Sequence, residues 1–257
     1  IGLTDWWNIT LTQVLGNRYM TWEADSTSNH HRDEGSESNF DNAIGGYIGD
    51  SKFMIRYLLF NAGRGSGVRL FFGGGLVIPS GNTLTSSPFF QNEEVQPHRH
   101  FSMSEGVYKA VFETQYFVKK VSNPVFVGGT FAITEPIGES EYGFKASRFI
   151  DLSFTAFTKN IKPLNGAINL SVMFRYTNKA YWNGIVSPNS ESSLLIPGAG
   201  LLWNLEFATI MLNLQKPIFL KGSFAGTEAY LDEEANAWQV SLGMRKILDY
   251  TIPWLYW

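Results

Sequence analysis

Histidines are the residues of this sequence most suited to metal chemistry, and all four fall in segments predicted to be loops. His98 and His100 flank Arg99, so an extended backbone would present both imidazoles on one face, near Glu93 and Glu94. Imidazole and carboxylate are common ligands of zinc and copper. Short tracts of this kind also occur as plain solvated loops. A metal site at His98 and His100 is therefore one hypothesis, and a polar loop is the other.

Nucleophilic catalysis has little support in the sequence. Cysteine is absent, no Gly-x-Ser-x-Gly motif occurs, and no histidine lies in a predicted strand where it could serve as the base. The glycine-rich segment 63–67 lacks the lysine and the following helix of a phosphate-binding loop, and is typical of a β-turn. We therefore expect no enzyme activity and no cofactor, with a hydrolase built from loop serine and histidine as the alternative.

A two-residue alternation of apolar and polar side chains is the strongest pattern in the chain. From 168 to 176 every even position is apolar or aromatic, whereas the odd positions include Asn169, Ser171 and Arg175. Similar alternation recurs at 108–118, 208–215 and 238–245. This period predicts strands with one apolar face. A soluble sandwich would turn the polar face to water, whereas a transmembrane barrel would turn the apolar face to lipid.

Composition favours the membrane alternative. Charged residues make up 17% of the chain, below the ~25% of typical soluble domains. Aromatic residues reach 15%, which suits the aromatic girdles of a barrel at the membrane interfaces. No run of ~18 apolar residues is present, so we expect strands rather than helices to cross, closed into a barrel. The net charge of −3 argues against nucleic acid as a partner.

Ten strands can be placed along the sequence, at 3–15, 52–60, 68–77, 107–119, 125–134, 146–159, 164–176, 194–203, 207–219 and 238–247. From the second strand onward the connections alternate between short and longer. Outer-membrane barrels have short periplasmic turns and longer extracellular loops. The prediction is one all-β domain over 1–257, an antiparallel transmembrane β-barrel of 10–12 strands. Splitting the first two segments gives twelve strands but puts the 25–39 loop on the periplasmic side.

Four stretches resemble the meta-pathway phenol-degradation-like family of outer-membrane proteins: 2–11, Gly49-Asp50 with Arg56-Tyr57, 73–81 and 214–218. Ser80 stands where that family usually has Thr, and Lys216 departs from its pattern. The resemblance implies a β-barrel that passes small molecules, and it supplies no catalytic residues. It also implies strands ahead of Ile1. Since no initiator Met or signal peptide is present, we expect a removed secretory signal and further N-terminal residues.

The same alternation assigns an excess of basic side chains to the lumen. The predicted lumen acids are Glu113 and Asp151, and the predicted lumen bases are Lys52, Arg56, Arg69, Lys109, Lys159, Arg175 and Arg245. A narrow wall of one sign concentrates ions of the opposite sign, and Arg binds carboxylates in a bidentate manner. The alternative is that these bases pair with Glu113, Asp151 and loop acids, which would make the barrel rigid.

These patterns predict a channel or transporter of the bacterial outer membrane for small anionic or aromatic solutes. A structural or partner-binding barrel with a blocked lumen is the alternative, because 10–12 strands leave a narrow interior. The expected partners are outer-membrane lipid, lipopolysaccharide and a small-molecule solute. A protein partner or a second copy of the chain is left open.

Overall fold

The computed structural model describes residues 3–16, 20–21, 39–40, 47–62, 65–85, 87, 102–222, 225 and 237–246. Strands dominate this part of the chain: β1 (Trp7–Leu15), β2 (Met20–Thr21), β3 (Asn39–Phe40), β4 (Ile48–Asn61), β5 (Gly67–Ile78), β6 (Lys109–Lys119), β7 (Phe126–Pro136), β8 (Phe144–Lys145), β9 (Phe149–Phe157), β10 (Ala167–Thr177), β11 (Tyr181–Trp182), β12 (Ile185–Val186), β13 (Ser192–Asn204), β14 (Thr209–Gln215), β15 (Ile218–Lys221) and β16 (Gln239–Arg245).

One large antiparallel sheet contains every strand predicted from the sequence. Its neighbours follow chain order, β1-β4-β5-β6-β7-β9-β10-β13-β14-β16. The short strand β15 pairs with β13 in line with β14. The two are separated at Pro217, which has no N–H to donate to the ladder. The all-β, antiparallel prediction is thus confirmed.

Several predicted strand boundaries were wrong. The predicted strand 146–159 begins at Phe149 and ends at Phe157, so Lys159 lies in the following turn, outside any strand. There the backbone N–H of Lys159 donates to the Asn123 side chain at 2.6 Å rather than to a strand carbonyl. The predicted strand from Val107 begins at Lys109, because Val107 packs into a cluster formed by loops.

The long and short connections lie at opposite ends of this sheet. Segments 16–47, 79–108, 137–148, 178–191 and 222–238 connect strands at one end, called here the long-loop end. Segments 62–66, 120–125, 158–166 and 205–208 connect them at the other, the short-turn end. The alternation of loop length read from the sequence is therefore a property of the fold.

The apolar face of the sheet is as predicted, the opposite face carries both polar and apolar side chains, and the two faces have an unusual pattern of exposure. On the apolar face Phe112 is 62% exposed and Leu242 is 76% exposed. On the opposite face, called here the polar face, Asn169 is 6% exposed and Met54 is 1% exposed. Soluble sheets do the reverse and bury their large apolar side chains. The polar face is therefore the enclosed one over much of its area.

Closure of the sheet into a barrel is not seen in the described ladders. Within the described residues β1 pairs only with β4, and β16 pairs only with β14. The barrel stays a prediction. In the same part of the chain we find no helix with the length and hydropathy needed to cross a membrane.

Loops at the long-loop end pack together around aromatic side chains. The Phe144 and Trp182 rings lie 4.9 Å apart between centroids, in a small sheet formed by β8, β11 and β12. Val107, Ala146 and Ala180 complete this buried cluster, and Leu84 packs against it. The connections between β5 and β6, β7 and β9, and β10 and β13 are thus held to one another.

Glycines on the polar face make room for large side chains from neighbouring strands. A Cβ at Gly75 would lie 2.1 Å from the carbonyl oxygen of Phe53 and 2.4 Å from the sulfur of Met54. At the preceding residue, Gly74, the side chain would point to the other face, and a Cβ would meet only a carbonyl oxygen at 4.0 Å. Close packing of β5 against β4 therefore depends on glycine at position 75 and not at position 74.

We expect Gly75→Ala to destabilise the protein by about 1–3 kcal/mol, because overpacking forces the backbone and Met54 to move. The matched control Gly74→Ala should be neutral or stabilising by up to ~1 kcal/mol, since it restricts the unfolded chain without a clash. Denaturant unfolding of the two variants measures the difference. Equal losses at both positions would contradict the assignment of faces on β5.

Candidate functional site

Cross-strand register brings four charged side chains into a single row on the polar face. The row runs across six neighbouring strands, from β4 to β10, with small residues between the charges. We call it the charged row, and its members are Arg56, Gly73, Glu113, Ala132, Asp151 and Arg175.

The pair formed by Arg56 and Glu113 spans the strand between them. Nε of Arg56 donates to Oε1 of Glu113 at 2.5 Å, and Nη2 donates to Oε2 at 3.3 Å. Gly73 lies between the two, and a Cβ there would be 3.1 Å from Cγ of Arg56. Gln115 donates to the same carboxylate at 2.8 Å, and Arg56 donates to Thr10 at 2.7 Å. This bidentate pair is thus held by side chains from β1, β4 and β6.

The second pair joins adjacent strands nearer the long-loop end. Nε and Nη2 of Arg175 donate to the two carboxylate oxygens of Asp151 at 2.6 and 3.0 Å. The Phe149 ring lies between two cations, with the Arg175 guanidinium 5.7 Å and the Lys109 ammonium 5.2 Å from its centroid. Lys109 in turn forms an ion pair with Glu105, which precedes β6.

Three of the bases predicted to lie on this face therefore have an acid in contact: Arg56, Lys109 and Arg175. These contacts match the alternative in which the bases pair with Glu113, Asp151 and a loop acid. Because the charged row holds two arginines and two carboxylates, its formal charge is zero.

The remaining predicted bases have different surroundings. Arg69 lies on the polar face and donates to the carbonyl of Gly65 at 3.4 Å. Lys52 is half-buried on the polar face of β4, and Arg245 is exposed at the end of β16. Lys159 lies in the turn after β9 and is exposed.

A group of amide and hydroxyl side chains on the polar face was missed by sequence reasoning. The Thr155 hydroxyl donates to Oδ1 of Asn169 at 2.9 Å, and the Asn169 amide donates to Oδ1 of Asn213 at 3.0 Å. Asn169 and Asn213 reach across β13 at Gly200, where a Cβ would lie 2.3 Å from Asn213. The signal that could have predicted this group is Gly200, which leaves space on the polar face of β13 between the two amide side chains.

The apolar face has its own ion pairs, at its long-loop edge. Lys221 donates to Glu191 at 2.9 Å and lowers the pKa of that carboxyl, with the Tyr176 hydroxyl as a second donor at 3.0 Å. Arg148 forms an ion pair with Glu135, whose carboxylate raises the pKa of Arg148. These exposed pairs connect the loops to the strand ends.

The proposed metal site cannot be placed in the fold. His98 and His100 lie outside the described residues. Among the residues that the structure does describe, no group of three His, Cys, Asp or Glu side chains could hold a metal ion.

Comparison with known proteins does not assign the chain to a family. No protein-family model matches the chain, and no curated protein matches it significantly. The resemblance to the phenol-degradation-like family stays a prediction.

We expect Glu113→Gln to destabilise the protein by about 1–3 kcal/mol, because it leaves a largely buried guanidinium without its carboxylate. The double variant Arg56→Gln with Glu113→Gln should lose less than the sum of the two single variants, as contacting charges are coupled. The matched control is Glu135→Gln, whose exposed pair contributes little.

Denaturant unfolding of wild type, the two single variants and the double variant gives the coupling directly. If the losses in unfolding free energy from the two single variants simply add in the double variant, Arg56 and Glu113 are not energetically coupled across Gly73, which would contradict the ion pair.

Proposed function

We propose that the chain is a β-barrel of the bacterial outer membrane that lets small anionic or aromatic solutes cross through its polar interior. The observation that carries this proposal is the reversed exposure of the two sheet faces. Along β6, β10 and β16, the exposed positions include Phe112, Leu170 and Leu242, while polar groups such as Asn169 are buried. Exposed apolar area costs about 25 cal/mol per Å² in water, and lipid removes that cost.

Sheet topology is compatible with the closure that this proposal needs. The ten strands in line are each antiparallel to the next, so the first, β1, and the last, β16, run in opposite directions. One antiparallel ladder between them, or further strands between their edges, would close the sheet. Lipid would otherwise leave the N–H and C=O groups of both edges unsatisfied.

Loop placement supports an orientation. All the long connections lie at one end of the sheet, and in outer-membrane barrels the longer loops are extracellular. The long-loop end would then face outward and the short-turn end would face the periplasm, with lipopolysaccharide around the outer rim.

The rival candidate is a structural or partner-binding barrel whose lumen is blocked. It is favoured by the close packing on the polar face, where side chains cross at Gly73 and Gly200 and Val111 is only 1% exposed. The aromatic cluster at the long-loop end adds to the closure of that end. A narrow barrel can be filled in this way.

Planar-bilayer recording separates the two candidates. The channel proposal predicts stepwise ion currents when folded protein is added, and none with heat-denatured protein at the same concentration. Insertion is checked independently by protease protection of the strands in the same lipid. Fully inserted protein that carries no current would contradict the channel and support the blocked barrel.

A further inference from the structure

We propose that Lys52, rather than either arginine of the charged row, is the group that attracts anions to the polar face. The inference deepens the proposed channel by naming its charge-selecting residue, and its use in transport rests on that proposed function. The sequence alone gave Arg56 and Arg175 equal weight with Lys52. The contacts that these three side chains make in the structure distinguish Lys52 from the two arginines.

Lys52 has no acid beside it in its own cross-strand row. Its direct neighbours are Thr12 on β1 and Val77 on β5, and Val77 is followed by Lys109 on β6. Within the described residues, Lys52 makes no ion pair or side-chain hydrogen bond. It is half-buried on the polar face. Among the residues that the structure describes, no contact therefore compensates its charge.

Three other bases of the polar face have an acid partner, and Arg245 is screened. Both guanidinium groups of the charged row hold a carboxylate in bidentate contact, and Lys109 holds Glu105. At a distance, each such pair acts as a dipole and not as a net charge. Arg245 is exposed at a strand end, where water and salt screen it strongly.

The acid on the same strand, Asp50, does not form a pair with Lys52. Its side chain accepts the backbone N–H of Ser80 at 3.2 Å. Asp50 shares the face of Lys52 two residues away and reduces the local potential without removing it. The positive potential should therefore be centred at Lys52 and increase when Asp50 is neutralised.

A thiol reporter measures this potential without any ion current, and the absence of cysteine from the chain makes the reporter unique. Thr12→Cys places an exposed thiol on the polar face directly across from Lys52. Asn8→Cys places the matched reporter across from Arg56. The probes are methanethiosulfonates of equal reactivity, one carrying a sulfonate and one a trimethylammonium group. The ratio of their labelling rates reports the sign of the local potential.

In the Thr12→Cys background, Lys52→Gln should lower the sulfonate-to-ammonium rate ratio by roughly threefold to tenfold, the effect of one charge within about 7 Å in water. Lys52→Arg should keep the ratio, and Asp50→Asn should raise it. In the Asn8→Cys background, the double variant Arg56→Gln with Glu113→Gln should leave the ratio unchanged within about twofold, because it removes no net charge.

Two results would overturn the inference. One is an unchanged ratio at Thr12→Cys when Lys52 is made Gln, while the protein stays folded. The other is a fall at Asn8→Cys in the double variant as large as that caused by Lys52→Gln. Reversal potentials across a salt gradient extend the test, since Lys52→Gln should reduce anion preference and the double variant should not. Absence of any current would reject the channel, while the labelling ratios would still decide whether Lys52 attracts anions.

Discussion

The ion pair of Arg56 and Glu113 shows the constraint on which the rest of the polar face depends. A guanidinium and a carboxylate two strands apart must meet, and ~9.6 Å of sheet separates their backbones. They can meet only because Gly73 on the intervening strand presents no side chain. Desolvation of both groups is offset by bidentate contact, by the hydrogen bond that Gln115 donates to Glu113 and by the one that Arg56 donates to Thr10. This arrangement lets Arg56 and Glu113 be largely buried on this face as a pair.

The same arrangement, in which a glycine leaves space for side chains of neighbouring strands, recurs along the sheet. Asn169 and Asn213 meet across β13 at Gly200, and Phe117 lies over Gly128 on β7, where a Cβ would be 2.2 Å from its ring. Small residues on one strand thus alternate with large ones on its neighbours, the pattern that a narrow barrel interior would need. The face carries both polar and apolar side chains, and it is closely packed around these glycines. This packing explains why the channel and the blocked barrel remain the two candidate functions.

Much of the fold could be predicted from the sequence, because a strand's two faces follow from period two alone. The ten strands and the grouping of long loops at one end are examples. The contact partners of individual side chains were harder to predict. Alternation gives the face of Arg175 but not the identity of the side chain opposite, which depends on register. Register places Asp151 directly across from Arg175 and Glu113 one strand beyond Gly73. The sequence therefore overestimated the free positive charge on this face.

Loops were the least predictable part, for a related reason. Phe144 and Trp182 lie in segments without periodicity, and nothing in the sequence indicated that they would pack together at the long-loop end. Val107 and Ala146 were predicted as the first residues of strands because they are apolar and adjoin alternating segments. Their burial in the loop cluster shows that apolar residues at strand ends can belong to a different packing unit. His98 and His100 stay untested.

The central claim is that the apolar face of the sheet contacts lipid and the polar face is enclosed. Site-directed spin labelling along β10 tests it most directly, because a chain without cysteine accepts one label at a time. In lipid vesicles, single-cysteine variants from Ile168 to Thr177 should show high accessibility to oxygen at even positions and low accessibility at odd ones. A water-soluble nickel complex should not reach the even positions near the middle of the strand. Even positions that collide freely with the nickel complex, or a profile without period two, would contradict the account.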